Sequence, residues 1–350
     1  MRRPVGVPTR MPAGIDPPVA ADGPLVPGSA VTAASPGRPR AQRGLAGLAP
    51  LCRDATQVRA LGSAIEQWGT GLGSGSRRPE LPWRSTRDPW SVLVSEVMAQ
   101  QTQVARVVPA YQRFLAAFPT PAACAAAPLA AILRAWAGLG YNRRAKHLHR
   151  AAIAVVDRHG GQVPGTLDDL LGLPGVGPYT ARAVLAFAFD ADVGVVDTNA
   201  GRVLSRAVAG RSVTTAEAQR LVDAMVPDGR GWSFGQALLD LGAAVCVAGE
   251  PRCHLCPVRP RCRWSATGRS EPDPARGSAG VSTVQSTFAG SDRQGRGRLV
   301  AALRHRDLAP DQVPPAMGWP EDRARAARVL DGLLRDGLVV RDEAGVVRLP

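Results

Sequence analysis

The sequence predicts a mainly helical fold, in which a large helical domain precedes a small winged-helix-like unit. The first observation is that apolar residues recur at the spacing of amphipathic helices from about residue 57 to about residue 265. The second is that no convincing alternation of apolar and polar residues, which would mark strands, interrupts this pattern. The clearest helical segments are 89–118, 128–137, 143–158, 179–189 and 200–208.

Changes in composition set the predicted domain boundaries. Residues 1–55 are rich in Pro, Ala, Gly and Arg without periodicity, so we expect a disordered tail that buries too little apolar surface to offset its chain entropy. Residues 56–266 form the predicted helical domain, and residues 267–294 form a predicted linker. In residues 295–350, two helical segments precede a hairpin pattern, which predicts the winged-helix-like unit.

Charge and lysine content narrow the classes of function. The formal net charge of +14 fits a polyanionic partner such as nucleic acid, although arginine could also simply fill exposed positions. Lys146 is the single lysine, so chemistry that needs a lysine Schiff base has almost no candidate nucleophile. The chain has no apolar run of about 18 residues and no signal-peptide pattern, and we expect a cytoplasmic protein that does not span a membrane.

Four of the six cysteines lie in one short stretch, which suits metal ligation better than a disulfide framework. Their spacing is Cys246-x6-Cys253-x2-Cys256-x5-Cys262. Four thiolates in one loop hold either a [4Fe-4S] cluster or a structural zinc ion, and spacing alone does not choose between them. Neighbouring arginines would turn such a loop toward phosphates: Arg252, Arg259, Arg261 and Arg263.

Residues 173–181, Leu-Pro-Gly-Val-Gly-Pro-Tyr-Thr-Ala, predict a hairpin between two helices. The glycines permit a tight turn, Pro178 suits a first helical turn, and the next helix presents free N–H groups at its positive end. Through Gly175, Val176 and Gly177, such a hairpin would hold a DNA phosphate without reading sequence. The alternative is an ordinary turn between helices.

Two carboxylates are candidates for chemistry. Glu96 shares its side of a predicted helix with apolar residues such as Trp90, Leu93 and Val97, and desolvation there would raise its pKa and favour a protonated acid. The alternative is a solvated helix glutamate. Asp197 follows an apolar run and precedes a helix, so the residues alone favour a helix N-cap. A second carboxylate in the same pocket would also stabilise an oxocarbenium ion.

These motifs, in this order, resemble the helix-hairpin-helix DNA glycosylases related to endonuclease III, and within them the adenine DNA glycosylases of MutY type. The resemblance covers about residues 57–265. It is carried by Leu-Pro-Trp-Arg at 81–84, Ser-Glu-Val-Met-Ala-Gln-Gln-Thr-Gln at 95–103, Trp-Ala-Gly-Leu-Gly-Tyr at 136–141, the hairpin, Val-Asp-Thr-Asn at 196–199, Phe-Gly-Gln-Ala at 234–237, Asp-Leu-Gly at 240–242 and the four cysteines.

The resemblance implies a helix-hairpin-helix glycosylase fold of two helical subdomains with a [4Fe-4S] loop. It implies that Glu96 protonates adenine at N7, and that Asp197 stabilises the sugar cation and assists attack by water. Asn199 would orient this site. Tyr179 occupies the place where bifunctional relatives carry a catalytic lysine, which implies hydrolysis without strand cleavage.

The resemblance also implies how substrate is bound. Trp83, Arg84 and Gln236 would line the adenine pocket, while Gln101 and Tyr141 would be wedges beside the opposing 8-oxoguanine. The partner would be double-stranded DNA with adenine opposite 8-oxoguanine or guanine, and we expect a monomer.

The chain departs from the family pattern at three places. Asn142 replaces the second aromatic residue of the common Gly-Leu-Gly-Tyr-Tyr motif, and Asp197-Thr-Asn199 replaces Asp-Gly-Asn. The C-terminal unit is shorter than the nudix-like domain of many members, and its wing would either touch DNA or pack on the main domain. Alternatives are an endonuclease III-like enzyme, a thymine or uracil mismatch glycosylase, and a non-catalytic iron-sulfur DNA-binding protein.

Overall fold

The computed structural model describes residues 55–71, 81–279 and 287–350. The predicted tail lies outside these ranges except for its last residue, as do residues 280–286 of the predicted linker. Within the described ranges, no helix is long and apolar enough to cross a membrane.

Helices dominate the part of the chain that is described, as predicted. They are α1 (Ala55–Thr70), α2 (Pro89–Ala99), α3 (Val104–Ala117), α4 (Pro121–Ala126), α5 (Leu129–Ala135), α6 (Arg143–His159), α7 (Leu167–Leu171), α8 (Pro178–Ala188), α9 (Thr198–Val203), α10 (Thr215–Met225), α11 (Gly231–Asp240), α12 (Arg263–Ala266), α13 (Asp292–Leu303), α14 (Val313–Met317) and α15 (Arg323–Arg335). Strands β1 (Val340–Arg341) and β2 (Val347–Arg348) form one antiparallel hairpin.

Two hydrophobic cores divide the helical domain into two subdomains. The first core is built mainly from helices α2 to α8. The second joins α1 to the chain from α9 onward, because α1 packs against α10 and α11. In the second subdomain, π-helical turns extend α9 through Leu204–Ala209 and α11 through Leu241–Val245. The first helix thus completes the subdomain that contains the cysteine loop at 246–262.

The segment 89–118, predicted as one helical stretch, is two helices. Helix α2 ends at Ala99 and α3 begins at Val104, and Gln101 between them has a φ of +52°. The carbonyl oxygens at the end of α2 do not need the N–H groups of a further helical turn, because the guanidinium of Arg144 supplies their donors. It donates to the carbonyl oxygens of Val97 and Met98, both at 2.9 Å.

The C-terminal unit packs on the first subdomain. Apolar residues of α13, α14, α15 and the hairpin belong to the same hydrophobic core as α2 to α8. Val347 of β2 is fully buried, and the N–H of Ala130 donates to the carbonyl of Pro350 at 3.0 Å. The hairpin therefore packs on the main domain, while the winged-helix assignment stays a prediction.

The first part of the predicted linker is attached to the second subdomain. The N–H of Ala279 donates to the carbonyl of Val213 at 2.9 Å. Asp273 forms an ion pair with the buried Arg206, with Nε and Oδ1 2.9 Å apart. Residues 267–279 are thus held beside the cysteine loop by specific contacts.

Candidate active site

Glu96 lies on α2, a helix that is buried on almost every side. Asp88 caps its first turn by accepting a hydrogen bond from the N–H of Ser91 at 2.8 Å, and Pro89 occupies the first helical position. Every residue from Val92 to Met98 is buried, and Glu96 itself is only 8% exposed. The expected apolar surroundings of Glu96 are confirmed.

The surroundings of Glu96 raise the pKa of its carboxyl to about 7. Desolvation is the largest cause, and the negative charge of Asp197 adds to it, whereas a hydrogen bond from Tyr179 acts in the opposite direction. The expected raised pKa is thus confirmed, and part of the Glu96 population is protonated at neutral pH.

The hairpin between α7 and α8 brings Tyr179 to Glu96. Gly177 precedes α8 and Pro178 occupies its first turn, as predicted. Gly175 has a φ of +80°, and a Cβ atom there would lie 2.6 Å from Cβ of His147. Glycine is therefore required for the turn to pass against α6. Tyr179 follows directly, and its hydroxyl donates to the Glu96 carboxyl.

Asp197 caps α9, as the residues alone favoured. Its Oδ1 accepts hydrogen bonds from the N–H groups of Asn199 at 2.8 Å and Ala200 at 2.7 Å. Its Oδ2 accepts from the side-chain amide of Asn199 at 2.7 Å. Burial nevertheless raises the pKa of Asp197, against these hydrogen bonds. The cap therefore fixes a partly buried carboxylate near Glu96, so the capping and chemical interpretations are compatible.

Asn199 is held between Asp197 and Arg202. The Nη2 atom of Arg202 donates to the amide oxygen of Asn199 at 2.8 Å, and its Nε atom donates to the carbonyl of Cys246 at 3.0 Å. A Cβ atom on Gly242 would lie 2.6 Å from Cβ of Asn199, so the Asp-Leu-Gly motif leaves the space that Asn199 needs. Hydrogen bonds through Asn199 and Arg202 therefore connect the carboxylate of Asp197 to the cysteine loop.

The residues predicted to line the adenine pocket come from two elements. Trp83 and Arg84 lie in a short 3₁₀ turn, and Gln236 lies on α11. The guanidinium of Arg84 forms a two-pronged ion pair with Asp240 of the same helix, at 2.9 and 2.7 Å. Trp83 packs edge-on against Tyr111, with ring centroids 5.4 Å apart. Arg84 thus joins the 3₁₀ turn to α11, and both of its terminal nitrogens are bonded to Asp240.

The two predicted wedge residues share an unusual backbone. Gln101 has a φ of +52° and Tyr141 a φ of +45°, a region that residues with side chains rarely adopt. Both are exposed, and Tyr141 is 43% exposed despite its aromatic ring. Strained and exposed side chains of this kind are common at binding surfaces.

Arg144 links the loops that carry these two residues and was not singled out from the sequence. It donates to carbonyl oxygens at the end of α2, to Oγ1 of Thr102 at 2.9 Å, and to the carbonyl of Leu139 at 3.3 Å. Its guanidinium carbon also lies 5.5 Å from the centroids of the Trp136 and Tyr141 rings. The sequence offers no signal that separates Arg144 from the adjacent Arg143.

The four cysteines line one cavity in the second subdomain, together with apolar residues such as Val203 and Leu241. Among the described residues, no three His, Cys, Asp or Glu side chains converge as the ligands of a single ion do. A [4Fe-4S] cluster takes one thiolate on each of four irons, so its ligands surround a volume. The donor set and its arrangement around a cavity fit such a cluster.

Arg206 supports the cysteine cavity from its buried side. Its Nη1 atom lies 3.5 Å from Sγ of Cys246. Burial raises the pKa of the Cys246 thiol, and the contact with Arg206 acts in the opposite direction. Arg206 is also 1% exposed, forms the ion pair with Asp273, and stacks on Trp264 at 4.9 Å. Three arginines of the loop are exposed, and Arg259 among them also lines the cavity: Arg252, Arg259 and Arg261. The loop therefore combines an internal cavity for a metal group with a basic outer surface.

Comparisons with known proteins identify the family of this chain. Residues 94–227 match the family described as HhH-GPD superfamily base excision DNA repair protein. An adenine DNA glycosylase of Mycolicibacterium smegmatis is 43% identical over 272 residues, which cover 77% of this chain and 90% of that protein. An adenine DNA glycosylase of Mycobacterium tuberculosis is 43% identical over 279 residues, which cover 77% of this chain and 89% of that protein.

Among solved structures, a thermostable thymine-DNA glycosylase superposes with a TM-score of 0.55 at 28% identity. The match covers 61% of this chain and all of that one. This likeness confirms the predicted helix-hairpin-helix glycosylase fold.

Proposed function

The chain belongs to the adenine DNA glycosylase family, and from this premise we propose that it hydrolyses the N-glycosidic bond of adenine mispaired with 8-oxoguanine or guanine in duplex DNA. The chain is therefore an enzyme, a DNA N-glycosylase of the hydrolase class. The observation that carries the proposal is the pairing of a buried, partly protonated Glu96 with Asp197, the N-cap residue of α9.

Glu96 acts as the general acid in this proposal. Adenine is a poor leaving group as an anion, and a proton on N7 lets it leave as a neutral base. The acid must hold its proton near neutral pH, and the raised pKa of about 7 meets that need. Burial is the largest cause of the raised pKa of Glu96. The same enclosed pocket would therefore surround the flipped base and keep the acid protonated.

Asp197 stabilises the sugar cation and then assists water. Its carboxylate keeps one oxygen in the helix cap and shares the other with the amide of Asn199. These bonds fix the orientation of the Asp197 carboxylate. Its negative charge is therefore already in place when positive charge develops at C1′ of the deoxyribose. Asn199 is a positioning residue here, held in turn by Arg202.

Hydrolysis without strand cleavage is supported by two observations. Tyr179 stands against Glu96, where bifunctional relatives carry lysine, and a phenol does not form a Schiff base. The only lysine, Lys146, donates from Nζ to the carbonyl of Asp336 in the C-terminal unit. No lysine therefore reaches the Glu96 pocket in the described structure.

The resemblance to the glycosylases related to endonuclease III implies a [4Fe-4S] cluster, and the four cysteines that line one cavity are suitable ligands for it. In this chain Cys246, Cys253, Cys256 and Cys262 would hold it. The cluster would supply structural stabilisation and electrostatics rather than base chemistry. The exposed arginines of the loop would then face phosphates, as would the hairpin residues Gly175, Val176 and Gly177, whose turn precedes the N-terminus of α8.

Single-turnover base release on labelled duplexes tests the proposal, with and without alkali. The duplexes carry adenine opposite 8-oxoguanine, guanine or thymine, or thymine opposite guanine. We expect alkali-dependent breaks at adenine in the first two duplexes alone. Breaks without alkali would support an endonuclease III-like lyase, and breaks only at thymine would support a thymine mismatch glycosylase.

A further inference from the structure

The tyrosine proposed as a wedge, Tyr141, is held by residues of the C-terminal unit. Its φ of +45° is unfavourable for a side-chain-bearing residue, and its ring is exposed. Such a conformation persists only where the surrounding contacts determine it. Arg144 supplies part of this support from within the helical domain, and Arg293 of α13 supplies a further contact.

Arg293 of α13 and Arg304, which directly follows the last residue of α13, contact Tyr141 and its neighbour. Nη1 of Arg293 lies 3.4 Å from the hydroxyl of Tyr141. Nη2 of Arg304 donates to the amide oxygen of Asn142 at 3.1 Å, and its Nε donates to the carbonyl of Leu133 at 2.9 Å. One arginine thus contacts the side chain of Tyr141, and the other contacts the next residue along the chain.

Asn142 depends on Arg304 because it is buried. It is 9% exposed, and a buried amide oxygen without a donor is costly. The arginine and the asparagine therefore form a polar pair directly beside Tyr141 in the chain.

Docking of the C-terminal unit does not rest on this pair alone. Asp336 contacts Arg296 of α13 and Arg143 of α6, and its carbonyl accepts from Lys146. An extensive apolar core also joins the unit to the first subdomain. Removing Arg304 should therefore leave the unit in place and alter only the loop.

We propose that Arg293 and Arg304 are positioning residues that set Tyr141 for insertion into DNA, so that the C-terminal unit takes part in base extrusion without contacting the adenine. The inference rests on the proposed function, since it assigns Tyr141 the wedge role. It predicts a defect in extruding a paired adenine and none in cleaving an adenine that is already unpaired.

The test compares Arg293→Gln, Arg304→Gln and the double variant with Arg341→Gln, which removes one exposed positive charge from the hairpin of the same unit. Single-turnover release is measured for adenine opposite 8-oxoguanine and for adenine opposite a gap. We expect each α13 variant to slow release from the paired duplex by about tenfold and to leave release from the gapped duplex unchanged. Arg304→Lys, which keeps the charge but only one nitrogen donor, should recover part of the rate.

An equal loss on both substrates, or an equal loss in Arg341→Gln, would overturn the inference in favour of a general structural or charge effect. Unchanged rates on both would overturn it as well. A second readout does not require cleavage: 2-aminopurine opposite a non-cleavable adenine analogue reports local unstacking on binding. Loss of that signal in the α13 variants, with adenine release absent from the unaltered protein, would sustain the inference and reject the proposed function.

Discussion

The hydroxyl of Tyr179 donates a hydrogen bond to the carboxyl of Glu96, and each group affects the ionisation of the other. The bond favours the ionised carboxylate, so it lowers the pKa of Glu96 from what burial alone would produce. In return, burial and the neighbouring carboxylates raise the pKa of Tyr179 well above its ordinary value. Tyr179 thus stays a neutral donor while Glu96 titrates near neutral pH.

Tyr179→Phe should move the pH profile upward. Cleavage requires protonated Glu96, so kcat/KM falls as pH rises through the pKa of about 7. Without the hydroxyl, the carboxylate loses a stabilising donor, its pKa rises, and the falling limb shifts to higher pH. The measurement is kcat/KM from pH 5.5 to 9. Tyr111→Phe, which removes a hydroxyl that contacts Ser91, should leave the limb in place.

Glu96→Gln should lose activity and gain stability at alkaline pH. The folded-state pKa is raised, so the stabilising contribution of the protonated carboxyl is present below about pH 4.5 and is lost as pH rises to about 7. A neutral glutamine avoids that loss, by up to about 3 kcal/mol at pH 8.

Urea unfolding at pH 8 and pH 5 measures the difference in the free energy of unfolding between Glu96→Gln and the unaltered protein. This difference should be smaller at pH 5. Base release should fall at least about a hundredfold while DNA binding is retained. Glu250→Gln, at an exposed position, serves as the control and should change neither quantity. Substantial residual cleavage by Glu96→Gln would remove the acid role.

Asn199→Asp should impair catalysis by placing two carboxylates side by side. The amide donor to Oδ2 of Asp197 is lost, and repulsion should raise the pKa of Asp197 further and slow base release by about tenfold or more. Gln219→Glu is a matched control, because the Gln219 amide donates to Asp223 at 3.1 Å. We expect both variants to lose stability and only Asn199→Asp to lose single-turnover activity. An equal loss of activity in both would contradict this.

Arg144→Lys should destabilise the two loops that carry Gln101 and Tyr141, because Arg144 bonds to both loops. One ammonium group does not replace a guanidinium that donates to several carbonyl oxygens and to Thr102. We expect a loss of about 2 kcal/mol in the free energy of unfolding and slower cleavage of paired adenine. Urea unfolding and single-turnover rates measure both effects. Arg143→Lys, at the adjacent exposed position, should behave like the unaltered protein.

The elements that sequence predicts well are those determined by local chemistry. Asp197 followed by a helix is an N-cap in any fold, and the structure has it there. Glu96 within an apolar helix implies burial and a raised pKa; Glu96 is buried, and this burial raises its pKa to about 7. The Gly175 turn and Pro178 likewise follow from backbone preferences alone.

The contacts that sequence did not predict are long-range and polar. Arg144 meets the end of α2 only because α6 packs beside it, and nothing local distinguishes it from Arg143. Arg304 lies far along the chain from Asn142, so their pairing depends on how α13 docks. The break at Gln101 has the same origin, since the carbonyl acceptors at the end of α2 are satisfied by Arg144 rather than by the next helical turn.

The central claim is that this chain releases mispaired adenine after Glu96 protonates N7. The most direct measurement is single-turnover release of adenine and of 7-deazaadenine, each opposite 8-oxoguanine, by the unaltered protein. Carbon at position 7 accepts no proton in that way, so we predict that adenine is released and 7-deazaadenine is retained, although both duplexes are bound. Release of 7-deazaadenine at the adenine rate would contradict acid catalysis at N7, and release of neither base would contradict the adenine glycosylase activity itself.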